Sequence, residues 1–167
     1  MNILLLVASV ALADTGVASV AGTAADSKIS GSVRLTDTPA GLKVEVSVTG
    51  LTPGAHGFHI HENGACGDSG KAAGAHYNPS GAPHGELSKS DPMKVHAGDS
   101  GNLTADKDGK AEMSVTLPGV TVSGKLPVAG RAVIVHEKAD DFSQPAGNAG
   151  GRVACGIIGV VTTPAKP

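Results

Sequence analysis

The stretch Gly57-Phe58-His59-Ile60-His61-Glu62, set just after the turn signal Thr52-Pro53-Gly54, decides how the chain is read. In a β-strand, side chains alternate between faces. His59 and His61 then share one face, roughly 6–7 Å apart at two strand rises, and Phe58 and Ile60 share the other, toward a core. Two imidazoles at that spacing can reach one metal ion. A half-buried strand with both histidines facing water fits the same six residues, so the choice rests on where the other histidines fall.

Outward from this strand, period-two patterning recurs. Leu42-Lys43-Val44-Glu45-Val46-Ser47-Val48 alternates strictly, and Lys28 to Thr36 alternates through Ile29, Gly31, Val33 and Leu35. The turn Asp37-Thr38-Pro39-Ala40-Gly41 joins the two runs into a hairpin. Downstream, Lys110 to Leu117 alternates through Ala111, Met113, Val115 and Leu117, Arg131 to His136 is a compact apolar run, and Cys155 to Val161 is the last strand. No long segment carries a helical period. The pattern predicts an all-β fold, a Greek-key β-barrel or sandwich of about eight antiparallel strands. Two long functional loops, Asn63 to Ser100 and Glu137 to Gly151, are predicted to lie over it. A stretch of more than about 30 residues without periodicity is uncommon in a compact domain and needs something to hold it.

The 167 residues suit one domain. With 24 Gly, 10 Pro, two Phe, one Tyr and no Trp, the chain is turn-rich and aromatic-poor. Its Val, Ile and Leu runs exclude disorder. A net charge of −2, without a basic stripe, argues against a nucleic-acid partner. Residues 1–13 read as a signal peptide: the apolar run Ile3 to Ala13 is too short to span a bilayer and ends in Ala11-Leu12-Ala13. A basic start is missing, since no Lys or Arg precedes Lys28. Residues 14–27, small and polar, read as a flexible linker, 28–161 as the folded domain and 162–167 as a tail. The expected location is periplasmic or secreted, with no membrane association once the leader is removed. In an exported protein Cys66 and Cys155 read as one disulfide; in a cytosolic one they would read as two buried thiols. The leader favours the bridge.

The seven histidines are 56, 59, 61, 76, 84, 96 and 136. Histidine is the commonest metal ligand, and so many on two loops and two strand ends suggest more than one ion. His96-Ala97-Gly98-Asp99 adds a carboxylate. At this point the chain resembles the copper–zinc superoxide dismutases, from about Lys28 to Val161. The resemblance is carried, in order, by Gly57-Phe58-His59-Ile60-His61-Glu62, Gly74-Ala75-His76-Tyr77-Asn78-Pro79, His96-Ala97-Gly98-Asp99, Val135-His136-Glu137-Lys138, Gly147-Asn148-Ala149-Gly150 and Arg152-Val153-Ala154-Cys155-Gly156.

The resemblance implies that His59, His61, His76 and His136 are copper ligands, and that His76 bridges to a zinc held also by His84, His96 and Asp99. It implies that Arg152 guides the anion, that Cys66 and Cys155 form the disulfide, and that Asp140 links a copper-side to a zinc-side histidine. His56 is implied to be structural. The implied activity is superoxide dismutase: oxygen and hydrogen peroxide arise through alternate reduction and reoxidation of the histidine-bound copper, with zinc structural. Arg152 and His76 are the implied catalytic residues, His76 taking a proton as it lets copper go. The donor chemistry agrees, because nitrogen-rich ligation suits Cu(II), and three His with one Asp suit a closed zinc site.

Only four residues, Glu62 to Ala65, separate His61 from Cys66, which removes part of the eukaryotic-type dimer contact and looks like a bacterial, periplasmic member. A homodimer stays open. The His84–His96 stretch is longer than the usual eukaryotic spacing. Lys125 and Lys138 could steer anions. The alternative is a non-catalytic copper-binding or delivery domain of the same fold, expected to lack a copper ligand or the arginine. A zinc hydrolase would want a His-Glu-x-x-His pattern, which is missing.

Overall fold

Alternating strands must bury one face, and this chain does so by curling its sheet onto itself. The structure, a computed structural model, describes residues 14–161. The expected leader and the expected tail lie outside the described residues. The strands are β1 (Thr15–Gly22), β2 (Ser30–Thr38), β3 (Gly41–Thr49), β4 (Gly54–His61), β5 (Asp99–Ala105), β6 (Ala111–Leu117), β7 (Ala132–His136), β8 (Arg152–Ile157) and β9 (Gly159–Val161). Their order is β2-β3-β6-β5-β4-β7-β8-β1-β9, and β1 also pairs with β2. Eight antiparallel strands therefore close into a barrel, and β9 runs beside β1. Closure removes the open edges that would otherwise template aggregation. The β3–β4 and β6–β7 connections each step over two strands, which is the Greek-key arrangement expected. Among the described residues no helix is long and apolar enough to cross a membrane.

The hairpin read from the sequence forms with Val33 opposite Val46 and Leu35 opposite Val44. The inward positions of β3, from Leu42 to Val48, are buried. Phe58 and Ile60 enter the same core, opposite Val135 and Val133. The alternate residues of β4, His59 and His61, lie outside the barrel wall, opposite Ile134 and Ala132, yet both are 0% exposed. The loops cover them, so the reading in which they face water fails. Beneath the first loop, Ala73, Ala132, Ile134 and Cys155 form a small second apolar cluster on the outer wall.

One expectation is corrected. Residues 14–27 are not a flexible linker, because β1 occupies Thr15–Gly22 and seals the barrel between β2 and β8. Its burial does alternate, with Gly16, Ala18 and Val20 inward. Two of those three side chains are too small to register as an apolar period. The last strand also divides at Ile158, 1% exposed, into β8 and β9.

Candidate metal centre

Two register shifts aim the strand residues at one another. Between β4 and β5 the register slips so that His59 stands opposite Asp99, with Ser100 and Gly101 set against Phe58. Gly101, at φ 89, takes a left-handed conformation that favours glycine there. Between β7 and β8 a second slip leaves Val153 unpaired and sets His136 opposite Arg152. Bulges of this kind re-aim side chains at barrel rims. The loops bring the rest: His76 bridges back to His61, and the His96–Asp99 turn runs into β5.

The side chains converge in two groups. His59, His61, His76 and His136 offer ligand atoms within 4.8 Å of one another, and so do His76, His84, His96 and Asp99. His76 belongs to both. Its Nδ1 lies 2.8 Å from Asp99 Oδ1, which leaves Nε2 for the first group. The ring centroids of His59 and His61 are 6.4 Å apart, and His76 stands 4.1 Å from His59.

Hydrogen bonds fix which nitrogen of each ring is free. His61 Nδ1 donates to the Gly74 carbonyl at 3.0 Å, and His59 Nε2 donates to Asp140 at 2.8 Å. His136 Nδ1 faces the Gly150 carbonyl at 3.4 Å. His84 Nε2 donates to the same Asp140 at 3.0 Å. The opposite nitrogens, His59 Nδ1, His61 Nε2, His84 Nδ1 and His136 Nε2, are buried without a hydrogen-bond partner. An unpaired buried polar atom is costly, and a ring whose other nitrogen is held in this way could offer its free nitrogen to a metal ion. His84 Nδ1 comes within 2.7 Å of Asp99 Oδ2 without hydrogen-bond geometry, as two ligands of one ion would. These four orphaned atoms are the observation by which the residues fit two metal ions. His59, His84 and Asp140 also cluster, but their facing atoms are already joined by hydrogen bonds.

Burial sets the charge state. It lowers His59 to about 4 against the pull of its Asp140 bond, His61 to about 2 and His136 to about 3. All three rings are then neutral near pH 7, the form that binds metal. Burial would lower His84 too, but the Asp140 carboxylate bonded to its Nε2 and the Asp99 carboxylate beside its Nδ1 outweigh it and raise the ring to about 9. Burial likewise opposes ionisation of Asp99 and Asp140, yet their histidine partners hold both far below the usual carboxylate range.

A cleft of about 550 Å³ opens over the first group, lined by His61, His76, His136 and Arg152 and walled by Pro145 and Ala146. Arg152 is held by carbonyls of the first loop, with Nη1 donating to Gly70 at 2.7 Å and Nη2 to Gly74 at 2.6 Å. Cys155 is bonded to Cys66, so the disulfide ties that loop to β8. Every residue the sequence marked as a ligand is therefore brought together, with Arg152 and Asp140 beside them. His56 stands apart from both groups, its Nδ1 2.7 Å from the His136 carbonyl. Lys125 lies in a different cleft, with Met93 and Pro118, and Lys138 does not line the one over the first group. Sequence reasoning missed the carbonyls of Gly74 and Gly150, which no residue type announces.

A profile described as copper/zinc superoxide dismutase matches residues 29–158. The chain is 42% identical over 144 residues to the extracellular superoxide dismutase [Cu-Zn] of Drosophila melanogaster, covering 81% of this chain and 78% of that protein. It is 40% identical over 141 residues to the protein of the same description from Haemonchus contortus, covering 80% and 75%. Among solved structures, that of the clock protein EA4 superposes with a TM-score of 0.78 at 33% identity, covering 93% of this chain and all of that one.

Proposed function

The chain belongs to the copper/zinc superoxide dismutase family, and we propose how its residues divide the work of that activity. It is an oxidoreductase acting on superoxide, with copper and zinc as its metals. His59, His61, His76 and His136 would hold copper, and His76, His84, His96 and Asp99 would hold zinc. The four orphaned buried nitrogens carry this assignment.

Copper, when bound, supplies a one-electron couple that accepts an electron from one superoxide and returns it to the next, yielding oxygen and hydrogen peroxide. The chain's own residues do the rest. Arg152, permanently charged and lining the cleft, attracts the anion, and the guanidinium keeps N–H groups that the loop carbonyls do not use. His76 would exchange a proton at Nε2, the nitrogen it turns to the first group, while its Nδ1 stays on the zinc side beside Asp99. Asp140 and the Gly74 carbonyl keep His59 and His61 in their ligating tautomers. The barrel wall and both loops exclude water from every face except the cleft.

Export is supported by the leader expected over residues 1–13, by the disulfide, and by the extracellular names of both relatives. A bacterial, periplasmic setting rests on the expected leader and the short Glu62–Ala65 segment, and the animal relatives add nothing to it. A homodimer is supported by the exposed Val17, Ile157, Val160 and Val161 around β9.

The test is superoxide decay by pulse radiolysis on protein loaded with both metals. We expect a copper-dependent rate near the diffusional ceiling of about 10⁹ M⁻¹s⁻¹, abolished in His136→Ala. Arg152→Ala should keep both metals and slow decay by about tenfold or more. A slow rate with copper bound would overturn the catalytic reading in favour of a copper-binding domain, and metal loss in Arg152→Ala would overturn the guiding role.

A further inference from the structure

Gln144 lies outside both histidine groups. Its side-chain amide nevertheless meets the main chain of His84 twice. Oε1 accepts from the His84 N–H at 3.0 Å, and Nε2 donates to the His84 carbonyl at 2.9 Å. One planar amide thus satisfies both backbone groups of a residue on the other loop, as a rung of sheet would. The same device recurs close by. Asn102 donates to the Asp140 carbonyl at 2.9 Å and accepts from the Asp140 N–H at 2.8 Å. Asn102 belongs to β5, so the second loop is fixed to the barrel at Asp140 and to the first loop at His84.

The chain beyond Gln144 builds the cleft wall from Pro145, Ala146, Asn148, Ala149 and Gly150. Gly147, at φ 76, packs its Cα on the Asp140–His84 junction, where a Cβ would collide with Asp140 Oδ1. Phe142 stacks on the His84 ring at 6.4 Å and 19°. The wall therefore hangs from a histidine that does not itself line the cleft.

We propose that Gln144 is a positioning residue, a latch that fixes the cleft wall to the zinc-side loop through the main chain of His84. It acts on peptide groups, so it does not depend on what the ring binds or on its proton. It holds the wall in place before metals load, and it makes the seat of His84 set the width of the cleft. Gln144 is an exposed residue whose two amide bonds are only part-buried, and a net hydrogen bond contributes modestly, so the latch governs local opening and leaves global folding alone.

Two variants test this. Gln144→Met keeps the length and neither hydrogen bond. Gln144→Glu keeps the acceptor for the His84 N–H and sets a carboxylate oxygen against the His84 carbonyl. The reporters are the amides of Gly147, which donates to Ser143 O at 2.8 Å, and Asp141, which donates to Gly147 O at 2.9 Å. Val44 and Val46 in β3 are the barrel controls. In metal-free protein, Gln144→Met is expected to speed reporter exchange about tenfold, equivalent to about 1.4 kcal/mol, with controls unchanged. Gln144→Glu should speed it at least as much. In loaded protein, azide affinity read from the copper spectrum should weaken severalfold and zinc release to a chelator should quicken. The zinc arm alone rests on reading His84 as a zinc ligand. Unchanged release beside open reporters leaves the latch standing and overturns that ligand assignment. Reporter exchange that is unchanged in Gln144→Met, or that accelerates together with the controls, overturns the latch.

Discussion

Asp140 shows how much of the centre depends on single atoms. Its carboxylate takes N–H groups from His59 and His84 and a third from the Phe142 main chain at 2.8 Å. Only an ionised carboxylate has acceptors for all three. Asn at this position offers one acceptor oxygen and turns an NH2 group toward a ring N–H. Asp140→Asn is therefore expected to lower zinc affinity by about 10–100-fold, the usual cost of losing a group that orients a ligand. Competition with a chromophoric chelator measures it, and unchanged affinity would mean that Asp99 alone orients His84. At this scale the sequence was informative where residue types are few. Seven histidines suggested more than one metal ion, and the family resemblance marked which of them, with Asp99, are the candidate ligands, and marked Asp140 and Arg152. It was silent on the tautomers, because the groups that fix His61 and His136 are peptide carbonyls, which every residue carries.

Elements are where the sequence both succeeded and failed. β3 was legible because Leu42, Val44, Val46 and Val48 alternate with charged and polar residues. β1 was not, because its inward Gly16 and Ala18 carry almost no apolar signal, and only pairing with β2 and β8 reveals it. The two register slips were also invisible, since a bulge leaves no mark on hydrophobic period, yet they set Asp99 against His59 and Arg152 against His136. Removing residues 15–22 would expose the edges of β2 and β8. We expect such a truncation to lose its cooperative thermal transition and aggregate, whereas a chain beginning at Asp14 keeps it; scanning calorimetry with light scattering distinguishes the two, and a cooperative transition in the shorter chain would show that β1 is dispensable. The disulfide acts on another element. It closes a loop with a sequence separation of 89 and pins the segment whose Gly70 and Gly74 carbonyls hold Arg152. Cys66→Ser with Cys155→Ser should lower unfolding free energy by up to ~4–5 kcal/mol on the chain-entropy account. Urea titration of the two forms reads this, and a midpoint that does not move would place the bridge's effect in the native loop alone.

At the scale of the whole molecule, ten polar or charged residues are buried among the described ones, most of them under the loops outside the wall of an apolar barrel, and they govern its response to pH without metals. Stability rises with pH wherever the unfolded chain binds more protons than the folded one. His59, His61 and His136 have folded values of about 4, 2 and 3 against an ordinary 6.5. Below pH 6.5 the unfolded chain takes protons that the fold refuses. Stability then falls with pH by on the order of 1.4 kcal/mol per unit for each proton. Asp99 and Asp140, held low, add to the loss once the pH drops below the ordinary carboxylate range. His84 runs the other way. Raised to about 9, it contributes fully below 6.5 and loses that contribution as pH rises through 9. The metal-free protein is thus expected to be most stable near pH 6.5, with a steep acid limb from three rings and a shallow alkaline limb from one. Zinc at His84 Nδ1 takes the place of a proton, so the zinc-loaded protein should lose the alkaline limb and keep its stability to higher pH. Urea midpoints from pH 4 to 10, with and without zinc, check both limbs. A metal-free midpoint that climbs steadily between 6.5 and 9 would mean that His84 is neutral in the fold, and that Asp99 and Asp140 draw their low values from the other histidines.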